Sequence, residues 1–135
     1  MSRLAERLSE LRRYLGHLRR LRSRPVSAAD LRGDLSLRND VVHSLLMVAQ
    51  MVIDVAGELS ASHGLAFSDY RAAVENLRPV GFPDALVGRL ARLPGFRNVV
   101  VRGYLRLDEE QVVRALEELE PVEEFVTLVA RRLGE

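Results

Sequence analysis

The chain has 135 residues, 47% of them hydrophobic, which suits a single domain over residues 1–135 with a core of ordinary size. Its 20 basic residues against 19 acidic ones leave a net charge of +1, so no whole-molecule basic excess marks a non-specific nucleic-acid binder and any anion site must be local. The absence of cysteine excludes a disulfide framework, a thiolate metal site and a cysteine nucleophile.

Taken in chain order, Leu4, Leu8, Leu11, Leu15, Leu18 and Leu21 recur at intervals of three and four, the stripe of an amphipathic helix ending before Pro25. Ser27 with Asp30 three residues on predicts a helix start, with Gly33 as its stop. From about Leu37 to Ser62 the pattern is helical again, and Val41 to Ala56 is apolar on nearly all sides, as a central buried helix requires. Gly64 ends it, Ser68 is the expected N-cap of the next helix, and "DYRAAVENLR" runs to Pro79, where the pattern breaks. Pro83 is placed as the first residue of a helix through Leu93. Pro94-Gly95 punctuates the chain, Asp108 caps a new helix, and Leu116 to Leu133 continues with Pro121 as a boundary or kink. The β-branched run in "NVVVRGYLRL" fits either strand or helix; in an otherwise helical chain it is taken as helix, so the expected fold class is all-α.

Every basic residue is arginine. Guanidinium is always charged and grips phosphate through two parallel hydrogen bonds, where lysine offers a point charge. The amino-terminal stretch is charged throughout and lacks the apolar core of a signal peptide. The longest apolar run, Val41 to Ile53, is interrupted by His43, Ser44 and Gln50 and reads as too short to span a bilayer. A soluble, cytoplasmic protein with no membrane association is therefore expected.

His17, His43 and His63 have no partners at metal-ligand spacing, so no metal and no cofactor is expected. The glycines form neither a P-loop nor a dinucleotide fingerprint, and no nucleophile elbow occurs. Two similar stretches remain, "RNDVVH" at Arg38 to His43 and "RNVVVRGY" at Arg97 to Tyr104. On the helix opened by the first, about 100° per residue sets Asn39, His43, Gln50 and Asp54 along one narrow polar stripe. That stripe either faces solvent or satisfies buried hydrogen bonds, or it looks onto a site formed by the second stretch, with Asp54 as a supporting residue.

The second stretch resembles the signature of the HEPN superfamily, and specifically of the HepT toxin family, written as Arg, four residues, His, one residue, Tyr. The resemblance extends along most of the chain: the leucine-rich first helix, the "LRNDVVH" helix, "SDYRAAVENL", the Pro83 helix, "GFRN…Y", "DEEQV" and "VEEFV" follow in the order that family shows. It implies an all-α antiparallel helical bundle, a homodimer with the motif helix at the two-fold cleft. It also implies a metal-independent endoribonuclease, the toxin of a pair whose antitoxin is a minimal nucleotidyltransferase of the MNT type. Carried over by position, the resemblance makes Arg97 the holder of the scissile phosphate of the RNA substrate and Asn98 its polar neighbour. Tyr104 becomes the acceptor of AMP from the antitoxin.

The chain departs from that signature at the histidine, where it has Arg102. Arginine, with a pKa above about 12, cannot act as a general base, although it binds phosphate and stabilises developing charge. The resemblance then implies a nuclease scaffold weakened or silenced at one position. The rival readings are a non-catalytic RNA- or nucleotide-binding subunit of a nucleotidyltransferase complex, and a purely structural helical module whose Arg102, Arg106, Asp108, Glu109 and Glu110 form a solvated surface. On an ideal helix the step from Arg97 to Arg102 turns about 140°, while the step to Tyr104 returns to within about 20°. Arg97 and Tyr104 are thus expected on one face. Joint use of Arg97 and Arg102 requires either a helix end near Gly103 or two chains meeting across a two-fold axis, and the second is favoured.

Overall fold

The computed structural model describes residues 3–134; Met1, Ser2 and Glu135, which the single-domain reading includes, lie outside the described residues. Among the described residues every regular element is helical. The elements are α1 (Arg3–Leu21), α2 (Ala28–Gly33), α3 (Leu35–Ser62), α4 (Tyr70–Glu75), α5 (Leu77–Val80), α6 (Asp84–Leu90), α7 (Leu93–Arg102), α8 (Glu109–Glu117) and α9 (Glu120–Arg132), with a 3₁₀ turn at Tyr104–Arg106.

The first helix forms as its periodicity dictates. Leu8, Leu11, Leu15 and Leu18 are buried against the bundle, each worth about 1.5–3 kcal/mol in removed apolar surface. Ser27 and Asp30 close a reciprocal capping box that starts α2. Asp34 then caps α3 by accepting from the Leu37 amide at 3.1 Å, two residues before the expected start.

The 28-residue α3 is the centre of the molecule, with twelve buried side chains from Val41 to Ser60. By length and composition it is apolar enough to cross a membrane, which the interrupted run Val41 to Ile53 does not suggest on its own. The same composition is what a helix covered by its neighbours needs: α1, α2, α4, α5, α7 and α8 all pack on it. Its direction relative to α1 follows from two contacts: Arg7 pairs with Glu58 near the end of α3, and His17 meets Asp40 near its start at 2.8 Å. The two helices are therefore antiparallel.

Several boundaries differ from expectation. Asp69 rather than Ser68 caps α4, its carboxylate accepting from the Ala72 amide at 2.7 Å. The run through "DYRAAVENLR" breaks at Asn76, and Pro79 sits inside the short α5, whose end is Gly81 at φ +116°, a left-handed conformation. Pro83 is the residue before α6 rather than its first. Pro94-Gly95 does not interrupt the chain but lies in the first turn of α7, where proline's missing N–H has no helical partner to lose. Asp108 and Gln111 form a second capping box at α8, and Pro121 falls in the first turn of α9.

The first "RN" stretch is structural. Arg38 donates to Glu109 at 3.0 Å, which with Arg32 ties α2 and α3 to α8. Asp40 accepts from Ser44 at 3.2 Å besides meeting His17, and His43 stands edge-on to Tyr14 with ring centres 6.3 Å apart. The hydrogen bond from Arg38, reinforced by the charges of Arg38 and Arg32, holds the Glu109 carboxyl below the ordinary glutamate range. A folded-state pKa lowered in this way contributes stability above the unfolded value and loses it as pH falls through the folded one. We expect Glu109→Gln to melt below the wild type at neutral pH, with the gap closing as the solution is acidified. A gap in thermal midpoint that stays constant with pH would contradict the assignment.

Candidate functional site

The motif helix α7 lies against the middle of α3, and one side chain joins them. Arg97 donates from Nε to Gln50 Oε1 at 3.1 Å and from Nη1 to Asn98 Oδ1 at 3.0 Å. Gln50 in turn donates from Nε2 to Asp54 Oδ1 at 2.9 Å. The two ends of the amide are therefore used with matching polarity, acceptor to the guanidinium and donor to the carboxylate. The guanidinium carbon sits 4.8 Å from the centre of the Tyr70 ring, within range of a cation–π contact. Three elements thus fix one arginine, while guanidinium N–H donors beyond the two engaged ones are left for an anion.

Of the polar stripe on α3, Gln50 and Asp54 reach this site, Asp54 only through Gln50. His43 does not: its aromatic partner is Tyr14. Arg97, Asn98 and Arg102 line one open, polar cleft of about 580 Å³ together with Tyr70, Arg71 and Arg92. Arg97 and Arg102 are brought to this cleft within a single chain, so the second copy expected for that purpose is not required. The helix ends where the alternative placed it: the Gly103 amide closes the last turn on the Val99 carbonyl at 2.9 Å, and the chain passes into the 3₁₀ turn.

That ending overturns the shared face expected for Arg97 and Tyr104. Tyr104 stands on the turn, 64% exposed, outside the cleft lining. Val101 and Leu105 beside it are also exposed, Leu105 to 87%.

The charge distribution distinguishes this cleft from the rest of the surface. Elsewhere many arginines are paired with carboxylates, among them Arg7 with Glu58, Arg19 with Glu123, Arg38 with Glu109, Arg78 with Glu75 and Arg89 with Glu118, and the unpaired ones do not gather in one hollow. Among the described residues none of Arg71, Arg92, Arg97 and Arg102 has such a partner. The one carboxylate on the cleft wall, Asp69, is engaged in capping α4. Four unneutralised guanidiniums facing one polar hollow make an anion site. A second cavity of about 320 Å³, apolar and floored by Leu45, Leu90 and Phe96, shares Arg92 with it. Among the described residues no three His, Cys, Asp or Glu side chains group to hold a metal ion.

Sequence reasoning missed Tyr70, Arg71 and Arg92. They come from the start of α4 and the α6–α7 junction, and no spacing in the chain signals that these places meet α7.

The chain is thus an all-helical bundle with an arginine-lined cleft along its motif helix. The sequence profile of the ribonuclease HepT-like family matches residues 4–129, and the chain belongs to that family. A tri-AMPylated HEPN toxin of Shewanella oneidensis, solved in complex with MNT antitoxin, superposes with a TM-score of 0.82 at 19% identity, covering 97% of this chain and 99% of that one. A toxin–antitoxin structure with AMP-PNP gives 0.80 at 19% identity, over 96% and 99% of the two chains. A mutant MntA–HpeT toxin–antitoxin structure gives 0.78 at 18%, over 95% and 97%. At these identities the likeness is one of fold. No curated protein sequence matches the chain.

The Gln50 bridge carries a direct test. Gln50→Leu removes the acceptor for Arg97 and the donor for Asp54, and we expect a stability loss on the order of 1 kcal/mol in denaturant unfolding. The Arg97 Nε–H resonance should broaden relative to the wild type as it exchanges with water. An unchanged resonance would show that Gln50 does not hold the arginine.

Proposed function

We propose that this chain is the toxin of a toxin–antitoxin pair, an endoribonuclease scaffold that works as a homodimer of one-domain protomers and is opposed by an MNT-type nucleotidyltransferase. The observation that carries the reading is the family match over residues 4–129 joined to a braced Arg97 at an arginine-lined cleft. In metal-free RNA cleavage the 2′-hydroxyl attacks the neighbouring phosphorus and the 5′-oxygen leaves. Arg97, fixed by Gln50 and Asn98, holds the phosphate, and Arg102 adds charge against the developing negative oxygens.

Neither residue moves the proton. The 2′-oxygen must give one up and the leaving oxygen must gain one, a task for a group titrating near neutrality, which Arg102 is not. Loss of such a group costs on the order of 10²- to 10⁴-fold in rate. That residue supports a second reading, a subunit that binds RNA or nucleotide at the same cleft without cutting.

Labelled RNA incubated with chelator and either the wild type or Arg102→His separates the two. We expect cleavage by the variant, at least a hundredfold faster than by the wild type. Two folded proteins that bind RNA and leave it intact would favour the binding subunit, and a wild type that is strictly monomeric at micromolar concentration would contradict the dimer.

The exposed Val101, Tyr104 and Leu105 offer an apolar surface suited to a protein contact, either a second copy or the antitoxin. The exposure of Tyr104 also supports its role as AMP acceptor. Incubation with ATP and an MNT-type nucleotidyltransferase should add AMP to Tyr104, read by mass spectrometry of the tryptic peptides. Unaltered labelling of Tyr104→Phe would place the acceptor elsewhere.

A further inference from the structure

The cleft is larger than one phosphate needs and carries more charge than the motif supplies. Arg97 and Arg102 come from the motif helix, whereas Arg71 stands at the start of α4 and Arg92 at the junction of α6 and α7. All four line the same hollow, and none has a carboxylate partner among the described residues, where no other hollow gathers four such arginines. An unpaired guanidinium on a fold with net charge +1 repels its neighbours unless an anion joins them. A single phosphate anchored at Arg97 does not call for four. A polyanion with regularly spaced phosphates does.

We propose that Arg71 and Arg92 are phosphate subsites on a single-stranded RNA track, taking the phosphodiesters that flank the one held at Arg97. The proposal rests on the RNA-acting reading above and adds to it the residues that carry the strand past the motif. The track is lined by the start of α4, by α7 and by the α6–α7 junction. Arg97 lies over the Tyr70 ring, 4.8 Å from its centre, and joins α7 to this wall of the track. Asp69, the wall's one carboxylate, is hydrogen-bonded to the Ala72 amide and pairs with none of the four arginines.

The test uses the salt dependence of binding. For single strands, log K against log salt falls with a slope of about −0.7 per phosphate contact, so each lost subsite should flatten the slope by about 0.7. Fluorescence anisotropy with a labelled single-stranded oligoribonucleotide is measured for the wild type, Arg71→Gln, Arg92→Gln and a control, Arg131→Gln, which lines no part of this cleft. All four are checked for unchanged thermal midpoints. We expect roughly tenfold weaker binding at low salt for each cleft variant, as loss of a charged hydrogen bond gives, with the flatter slope, and neither change for Arg131→Gln. Slopes unchanged in both cleft variants, while RNA binding itself persists and Arg102→His still cuts, would overturn the subsites and leave the nuclease reading intact. A wild type that binds no RNA would instead remove the reading on which they rest. Binding of ATP that depends on Arg71 and Arg92, with RNA affinity unaffected by either, would also overturn the proposal and assign the charges to a free nucleotide.

Discussion

A helix of 28 residues that is apolar around nearly its whole circumference must be covered around nearly its whole circumference, and this molecule is arranged to meet that requirement of α3. Six other helices pack on it. Its buried and half-buried polar groups then have to be satisfied within the helix or by the helices that cover it, because a buried polar group without a partner costs more than a hydrogen bond returns. Asp40 is met by His17 and Ser44, and Ser60 donates to the Ala56 carbonyl at 2.8 Å. Gln50 is met by Asp54 and by Arg97. The bond that positions Arg97 is thus one member of the set that registers the bundle, and the cleft is anchored to the core.

The arginines divide by what neutralises them. Those with carboxylate partners connect helices: Arg7 joins α1 to α3, Arg19 joins α1 to α9, and Arg38 joins α3 to α8. Exposed pairs of this kind contribute little energy each, but they remove the charge from competition for a ligand. Those without partners around α7 concentrate positive potential in one place on a protein that has almost no net charge. The two nearly identical "RN" stretches illustrate the division: in the first, Glu109 neutralises Arg38, while in the second Arg97 is oriented by neutral amides and an aromatic ring and keeps its charge for something else.

Much of the fold was legible because it obeys local rules. The leucine stripe of α1, the capping boxes at Ser27 and Asp108 and the apolar band of α3 each need only a few neighbouring residues to be read. The errors came where two local rules compete. Pro94-Gly95 reads as a break, yet proline in a first helical turn costs nothing, and Ser68 and Asp69 are both good caps, of which only Asp69 reaches an amide. In the site, Arg97, Asn98 and Arg102 were visible through the resemblance of their stretch to the family motif, and Asp54 through its place on the polar stripe. Tyr70, Arg71 and Arg92 were not, since their convergence is set by the packing of α4 and α7 on the central helix and of α6 on α4. Tyr104 was placed on the wrong surface because a seven-residue step was counted through Gly103, where the helix stops.

The central claim is that the four unpaired arginines gathered at the α7 cleft are the ones that meet RNA. Side-chain Nε–H spectra of arginine-labelled protein, recorded while a short single-stranded RNA is added, address it directly. The account predicts shifts at Arg71, Arg92, Arg97 and Arg102, with the ion-paired Arg19, Arg38 and Arg89 unmoved. Shifts at paired or distant arginines with the four cleft signals unchanged would contradict it.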